Sequence, residues 1–162
     1  MIKLDAQDLK ILEILQRDGR ISKVQLAAAI NLSPSPAWER LRRLEKAGII
    51  TGYHARIDPR KLSAAITVMV EVTLTHHQGA DFERFEKAVC DVPEIVECHA
   101  TGGGVDYLMK VMAKDMEGYQ NLMDRLLEAD IGIGRYFSYV VTKPVKDGGG
   151  MPLGVLTEET RR

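Results

Sequence analysis

The segment that decides the fold of the N-terminal part of this 162-residue chain is LSPSPAWERLRRLEKAGII, residues 32–50. Serine favours the capping position of a helix. Proline is tolerated in the first helical turn because the N–H groups there have no partner within the helix. The segment therefore predicts a helix that begins at residues 33–36 and ends at Gly48, with Leu41 and Leu44 on its buried side.

Two further helices are predicted ahead of this one. Apolar residues at helical spacing, with Asp5 in the capping position, indicate a helix over about residues 5–17, and Ser22 begins a second helix. After the third helix, residues 51–57 have the composition of an extended strand. Three helices, the last one capped and basic, followed by a strand are typical of a winged helix-turn-helix domain, which we assign to residues 1–62.

The net charge of −1 conceals an uneven distribution along the chain. Residues 1–62 carry twelve Lys or Arg and seven Asp or Glu, a net charge of +5, so the remaining residues carry −6. A basic N-terminal third joined to an acidic body indicates two modules with different partners. Double-stranded DNA is the partner that the basic module favours.

The candidate DNA-binding residues lie on the third helix and at its N-terminus. Arginine neutralises phosphates and can pair with guanine, and serine hydroxyls beside unpaired N–H groups can bond phosphate. A basic helix face that is merely solvated is the alternative. For the tryptophan we favour a packing role, with a base or sugar contact as the alternative. The candidate set is Ser33, Ser35, Pro36, Trp38, Arg40, Arg42 and Arg43.

The remainder of the chain predicts alternating strands and helices. Residues 65–75 alternate between apolar and polar side chains, as a half-buried strand does. The following elements are a helix with Phe82, Phe85 and Val89 at helical spacing that ends near Pro93, strands over 95–100 and 105–113, a helix capped by Asp115 and a last strand over 133–143. This βαββαβ order predicts an α+β, ferredoxin-like domain, assigned to residues 63–146, with helices on one face of the sheet.

Two parts of the chain, one face of this sheet and the C-terminal segment, are candidates for contact with another subunit. The open face of the sheet is expected to pack on another subunit, because many of its positions would be apolar. Residues 147–162, which contain Gly148 and Gly150 on either side of a third glycine, read as a C-terminal tail that could pack on a partner subunit.

Several classes of protein are disfavoured by the sequence. No apolar run approaches the roughly 20 residues of a membrane helix, and an acid stands where a signal peptide would be apolar, so a cytoplasmic protein without a membrane partner is expected. Cys90 and Cys98 lack metal or redox spacing, and no cofactor or metal is expected. No motif of a serine hydrolase, zinc protease or P-loop occurs. A ferredoxin-like enzyme and a sensor that acts on a partner protein remain the alternatives to a DNA-binding regulator.

Five segments together resemble one protein family. They are Leu4-Asp5 with Asp8, residues 32–36, residues 40–45, Gly48-Ile49-Ile50 and Val105-Asp106-Tyr107-Leu108. In this order the chain resembles the Lrp/AsnC family, the feast/famine transcriptional regulators, over nearly its whole length. The resemblance implies a DNA-binding domain and a ligand-sensing, dimerising RAM domain. It also implies homodimers that assemble to tetramers or octamers, an amino acid or related zwitterion as effector, and a pseudo-palindromic operator.

The resemblance also implies an effector site around the turn between the second and third RAM strands. Backbone N–H groups of a glycine turn can hold a carboxylate, and a nearby acid can hold an ammonium group. From the residues alone, a tight hairpin is the alternative. The implied residues are Thr101, Gly102, Gly103, Gly104, Asp106, Tyr107, Met116, Tyr139 and Val140. Three consecutive glycines depart from the family pattern, in which two of these positions often carry polar side chains.

Overall fold

The computed structural model describes residues 2–146, 148 and 150–156, which divide into two compact units. The helical unit contains the chain up to Arg56 together with the described residues from Lys146 onward, and the sheet unit contains Ile57–Val145. The chain therefore leaves the helical unit at Arg56, earlier than the predicted boundary at residue 62. The described residues at the C-terminal end, 148 and 150–156, group with the helical unit.

The helical unit contains the three predicted helices, α1 (Ala6–Arg17), α2 (Lys23–Ala29) and α3 (Pro34–Lys46). The Asp5 carboxylate accepts the backbone N–H groups of Gln7 and Asp8, and the Asp8 carboxylate accepts the N–H of Asp5 in return. This reciprocal capping box satisfies donors that a helix start leaves unpaired. Beyond α3, Gly48 has φ +69°, the left-handed conformation that glycine adopts readily.

The strand predicted over residues 51–57 is not formed in the described part of the chain. An extended segment becomes a strand only when its N–H and C=O groups bond to a neighbouring strand. The sheet of this protein contains four strands from the sheet unit, and residues 51–57 pair with none of them. The predicted strand is therefore absent from the single chain, which offers it no partner strand, whereas the three helices before it are confirmed.

The sheet unit has the predicted βαββαβ order. Its elements are β1 (Ile66–Leu74), α4 (Gly79–Cys90), β2 (Ile95–Ala100), β3 (Tyr107–Ala113), α5 (Met116–Glu128) and β4 (Ile133–Val140). The strands form one antiparallel sheet in the order β2-β3-β1-β4. β3 begins two residues later than predicted and β4 ends three residues earlier, while the fold itself is confirmed.

The two faces of this sheet differ in burial. Alternate residues of β1, including Val68, Val70 and Val72, are buried in one core with residues of α4 and α5 such as Phe85 and Leu122. The opposite face exposes apolar side chains to between 37% and 52%. They are Met69, Leu108, Phe137 and Tyr139. This open face thus carries exposed apolar side chains beside charged ones such as Glu71 and Lys110, and it has no cover in the single chain.

The C-terminal segment, residues 151–156, packs on the helical unit of its own chain. The side-chain amide of Gln16 on α1 donates to the carbonyl of Met151 over 3.3 Å and accepts the N–H of the same residue. Leu153, at the start of α6 (Leu153–Leu156), is 9% exposed and joins the core with Ile11 and Leu44. In the single chain, this segment therefore completes the helical unit, whereas the sequence suggested packing on a partner subunit.

Replacing Leu153 with Ala should lower the free energy of unfolding of the helical unit by about 2 kcal/mol, because a buried leucine is truncated. Urea unfolding followed by the fluorescence of Trp38, the single tryptophan, reports this unit specifically. The control is Val155→Ala in the same helix, where the side chain is 67% exposed. Equal stability of the two variants would mean that this segment does not pack as described.

Candidate nucleic-acid interface and effector site

The exposed side of α3 is a basic surface. Ala37, Leu41 and Leu44 are buried and fix the orientation of the helix. The opposite side exposes Arg42 and Lys46, neither of which has an ion-pair partner among the described residues. The side of α3 away from the core therefore carries unneutralised positive charge that can meet phosphates.

The N-terminus of α3 is also accessible. Ser33 occupies the capping position, but its side chain makes no hydrogen bond to the helix, and a proline stands in the first turn. Ser35 and Pro36 are exposed beside it. The hydroxyl of Ser33 and the first N–H groups of α3 are consequently available to an anionic partner.

The structure gives Arg40 a role within the helical unit that the sequence did not predict. Its guanidinium Nη1 donates to Asp5 Oδ2 over 2.6 Å and to Asp8 Oδ1 over 2.9 Å, and its side chain is 29% exposed. These hydrogen bonds raise the pKa of Arg40. The pKa of Asp5 is lowered because its carboxylate accepts the N–H of Asp8 and the bond from Arg40. Arg40 thus ties α3 to the start of α1, and its contact with DNA stays a prediction.

Arg43 shares the same acids but remains half-exposed. Its Nη2 donates to Asp8 Oδ2 over 2.5 Å, while its side chain is 49% exposed. The Asp8 side chain is completely buried. Asp5, Asp8, Arg40 and Arg43 together form a four-residue group, called here the acid–arginine cluster, whose formal charges cancel.

Trp38 contacts both the core and a basic residue. It is partly buried and packs against the core of the helical unit. The Nζ atom of Lys23 on α2 lies 3.3 Å from the centroid of its ring, in a cation–π contact. This placement agrees with the packing role favoured from the sequence.

In the sheet unit, the glycine turn is residues 101–104, between β2 and β3. Thr101 closes it: its N–H donates to the carbonyl of Asp106 over 2.8 Å and its hydroxyl to that of Val105 over 2.6 Å. At Gly102, Gly103 and Gly104, a Cβ would meet no atom within 4 Å. Gly103 has φ +148°, which other residues rarely adopt. The turn is therefore an open backbone surface.

Asp106 is hydrogen-bonded rather than unpaired. Its Oδ2 accepts the N–H of Leu74 over 2.7 Å and lies 3.0 Å from Nε2 of His77, and its side chain is 18% exposed. The carboxylate thereby connects the glycine turn to the end of β1. An effector ammonium group would join these contacts or displace His77.

Tyr107 belongs to the core, so its ring is not available to an effector in this chain. It is 2% exposed, its ring lies 4.4 Å from that of Phe85, and its hydroxyl donates to Glu86 over 2.9 Å. Burial and the bond to Glu86 raise its pKa. Only the backbone of Tyr107 remains beside the glycine turn.

The other three implied effector residues do not meet the glycine turn within one chain. Tyr139 pairs with Met69 on the open face, whereas Val140 pairs with Val68 on the helix-covered face, because successive strand residues point to opposite sides. Val140 and Met116 lie near the beginning of β1, and the turn adjoins its end. The nine residues therefore form at least two separate surfaces in a single chain.

Sequence reasoning missed three residues that the structure brings to these sites. Asp8 was noted only as part of a family motif, and His77 and Glu86 were not placed beside Asp106 and Tyr107. The spacing of Arg40 and Arg43, three residues apart on one helix, was a signal that both could reach a common acid. For His77 and Glu86, no local pattern predicts these contacts.

Comparison with known proteins assigns both units. The model of the winged helix-turn-helix DNA-binding family matches residues 4–51, and that of the Lrp/AsnC ligand binding domain matches residues 67–151. The chain belongs to the Lrp/AsnC family. It is thus a DNA-binding transcriptional regulator that responds to a small-molecule effector, as the resemblance implied.

Characterised members of the Lrp/AsnC family are similar along most of the chain. The transcriptional regulatory protein DoeX of Halomonas elongata is 57% identical over 145 residues, which are 90% of this chain and 92% of DoeX. The leucine-responsive regulatory protein of Escherichia coli is 44% identical over 143 residues, 88% of this chain and 87% of its own length. These relatives are regulators of transcription.

Solved structures of Lrp/AsnC regulators agree with the fold. A transcriptional regulator of Neisseria meningitidis in complex with L-Met has a TM-score of 0.89 at 32% identity, covering 95% of this chain and 99% of that one. An AsnC family regulator of Agrobacterium tumefaciens has a TM-score of 0.88 at 33% identity, covering 94% of this chain and 99% of that one.

Within the described residues, no helix has the length and apolar character needed to span a membrane.

Proposed function

We propose that α3 is the helix that enters the major groove of an operator, and that Arg42, Arg43 and Lys46 supply its principal contacts. The observation that carries this proposal is the side of α3 away from the core, where Arg42 and Lys46 have no acidic partner in the described part of the chain. Lysine and arginine neutralise phosphates, and arginine also reads guanine. Ser33 and Ser35 at the exposed start of α3 add phosphate contacts. Such a regulator acts in the cytoplasm on chromosomal DNA.

The proposed effector is an amino acid or a related small zwitterion that binds at the glycine turn. The open backbone of Gly102–Gly104 can take a carboxylate, and Asp106 beside it can take an ammonium group. The family regulator that was solved with L-Met supports this class of ligand. Because Met116 and Val140 lie away from the turn in one chain, we assign their effector contacts to a neighbouring subunit.

The proposed assembly is a homodimer formed through the open face of the sheet, with further association to tetramers or octamers. The apolar side chains of Met69, Leu108 and Phe137 on this face are each more than a third exposed. Covering such a surface with a second copy buries it from water. A twofold dimer presents two α3 helices, so the operator should be a pseudo-palindrome with half-sites separated by whole turns of about 10.5 bp.

Arg42→Ala should weaken operator binding and reduce the slope of log affinity against log salt by about one, because one phosphate contact is lost. If Arg42 reads a base instead, the loss should be about 1–3 kcal/mol and confined to sequences with that base. The measurement is fluorescence anisotropy with the chain's own upstream region at several salt concentrations.

The matched control for this variant is Lys87→Ala, which removes the same charge from an exposed position on α4 in the sheet unit. Its operator affinity should equal that of the parent. If Arg42→Ala binds as tightly as Lys87→Ala at every salt concentration, α3 does not meet the DNA through this side.

Phe137→Glu should shift the protein toward the monomer, because a charge placed within the apolar open face opposes burial of that face. Light scattering at micromolar concentration should find a dimer or larger species for the parent. Leu127→Glu on α5, also exposed, is the control and should assemble like the parent. A monomeric parent, or a Phe137→Glu variant with unchanged assembly, would contradict dimerisation through the sheet.

Gly103→Val should lower effector affinity about tenfold or more, because a side chain would occupy the turn and the φ of +148° would be strained. Calorimetry with L-Met and a panel of other amino acids first finds the ligand of the parent and then compares the variants. Gly79→Val at the start of α4, where a Cβ also meets open space, is the control. A ligand that binds Gly103→Val with parental affinity would place the effector site elsewhere.

A further inference from the structure

We infer that Asp8 is a positioning residue for DNA recognition, which holds Arg43 so that the regulator discriminates its operator from other DNA. This inference rests on the proposed function, in which the exposed side of α3 meets DNA. It assigns a role in DNA selectivity to a buried carboxylate of α1 that does not itself touch DNA.

The first support is the geometry around Asp8. The carboxylate is fully buried and uses Oδ2 for Arg43 at 2.5 Å and Oδ1 for Arg40 at 2.9 Å. The N–H of Asp5 donates to Oδ2 as well, over 3.0 Å. Both carboxylate oxygens are engaged, so Asp8 is held in one orientation and its charge-assisted bond restrains the guanidinium group of Arg43.

The second support is the partial exposure of Arg43. Only its Nη2 is bonded to Asp8, and the side chain is 49% exposed. A guanidinium group has five N–H donors in a fixed planar arrangement, so the donors on the other nitrogens remain available. The bond to Asp8 therefore restrains the position from which Arg43 presents those donors, which favours pairing with a base edge.

The third support is the charge balance of the acid–arginine cluster. Two carboxylates and two guanidinium groups cancel, whereas Arg42 and Lys46 on the same helix are unpaired in the described chain. Non-specific affinity depends on positive charge that neutralises phosphates. The ion pair with Asp8 thus keeps the charge of Arg43 from contributing to non-specific affinity. The donors on the other nitrogens of Arg43 can still form a close, directional contact in the operator.

The test compares Asp8→Asn with Asp5→Asn, which removes the same charge from the same cluster. Asparagine caps a helix as well as aspartate does, and Asp5 contacts Arg40 but has no bond to Arg43. The probes are the duplex that the parent protein enriches from a random library and a shuffled duplex of the same composition. Affinities are measured by anisotropy at several salt concentrations, after unfolding curves confirm that each variant is folded.

Asp8→Asn should bind the shuffled duplex about tenfold more tightly than Asp5→Asn does, with a salt slope steeper by about one. The reason is that Arg43, freed from Asp8, can neutralise one more phosphate. Affinity for the enriched duplex should rise less, so the ratio of enriched-duplex affinity to shuffled-duplex affinity should fall. In an Arg43→Ala background, the difference between the two variants should vanish. Equal behaviour of the two variants on both duplexes, or a difference that persists without Arg43, would overturn the inference.

Arg43→Lys provides a second test that does not depend on the folding of Asp8→Asn. Lysine keeps the charge but lacks the planar set of donors. Affinity for the shuffled duplex should therefore stay within about twofold of the parent's, while the ratio of enriched-duplex to shuffled-duplex affinity falls. An unchanged ratio would also overturn the inference. If Arg42→Ala has no effect on DNA, the proposed docking of α3 fails. If Arg42→Ala weakens binding while Asp8→Asn matches Asp5→Asn, only the role of Asp8 fails.

Discussion

The arrangement of the helical unit depends on the ion pairs and hydrogen bonds that the buried carboxylate of Asp8 makes. A buried charge is tolerated when it is paired and hydrogen-bonded, and here two arginines and a backbone N–H satisfy it. Because Asp8 stands at the start of α1 and both arginines stand on α3, the same contact fixes the position of α3 relative to α1. The charge that α3 presents to DNA is therefore set partly by a helix that makes no proposed contact with DNA.

The fold was predictable where short-range patterns decide it. The alternation through Val68, Val70 and Val72 indicated strand β1, and the capping residues Asp5 and Ser22 indicated where α1 and α2 begin. The failures needed long-range information. Residues 51–57 could form a strand only with a partner strand, and the packing of Leu153 in the helical unit depends on a core built from residues distant in the sequence.

The candidate sites were predictable in their residue types and less so in their contacts. Composition and spacing located the basic side of α3, but the pairing of Arg40 with Asp5 and Asp8 arises from helix packing, which no local pattern encodes. The burial of Tyr107 follows in the same way from the docking of α4 on the sheet. The separation of Tyr139 from Val140 was foreseeable, because adjacent strand residues face opposite sides.

In the proposed complex DNA covers α3, and Trp38 on α3 can report this contact because it is the single tryptophan and is only partly buried. The measurement is quenching of its fluorescence by acrylamide, with and without a saturating amount of the duplex that the protein enriches from a random library. Bound DNA should lower the quenching constant, and high salt should restore it. An unchanged quenching constant while anisotropy reports full binding would contradict this contact.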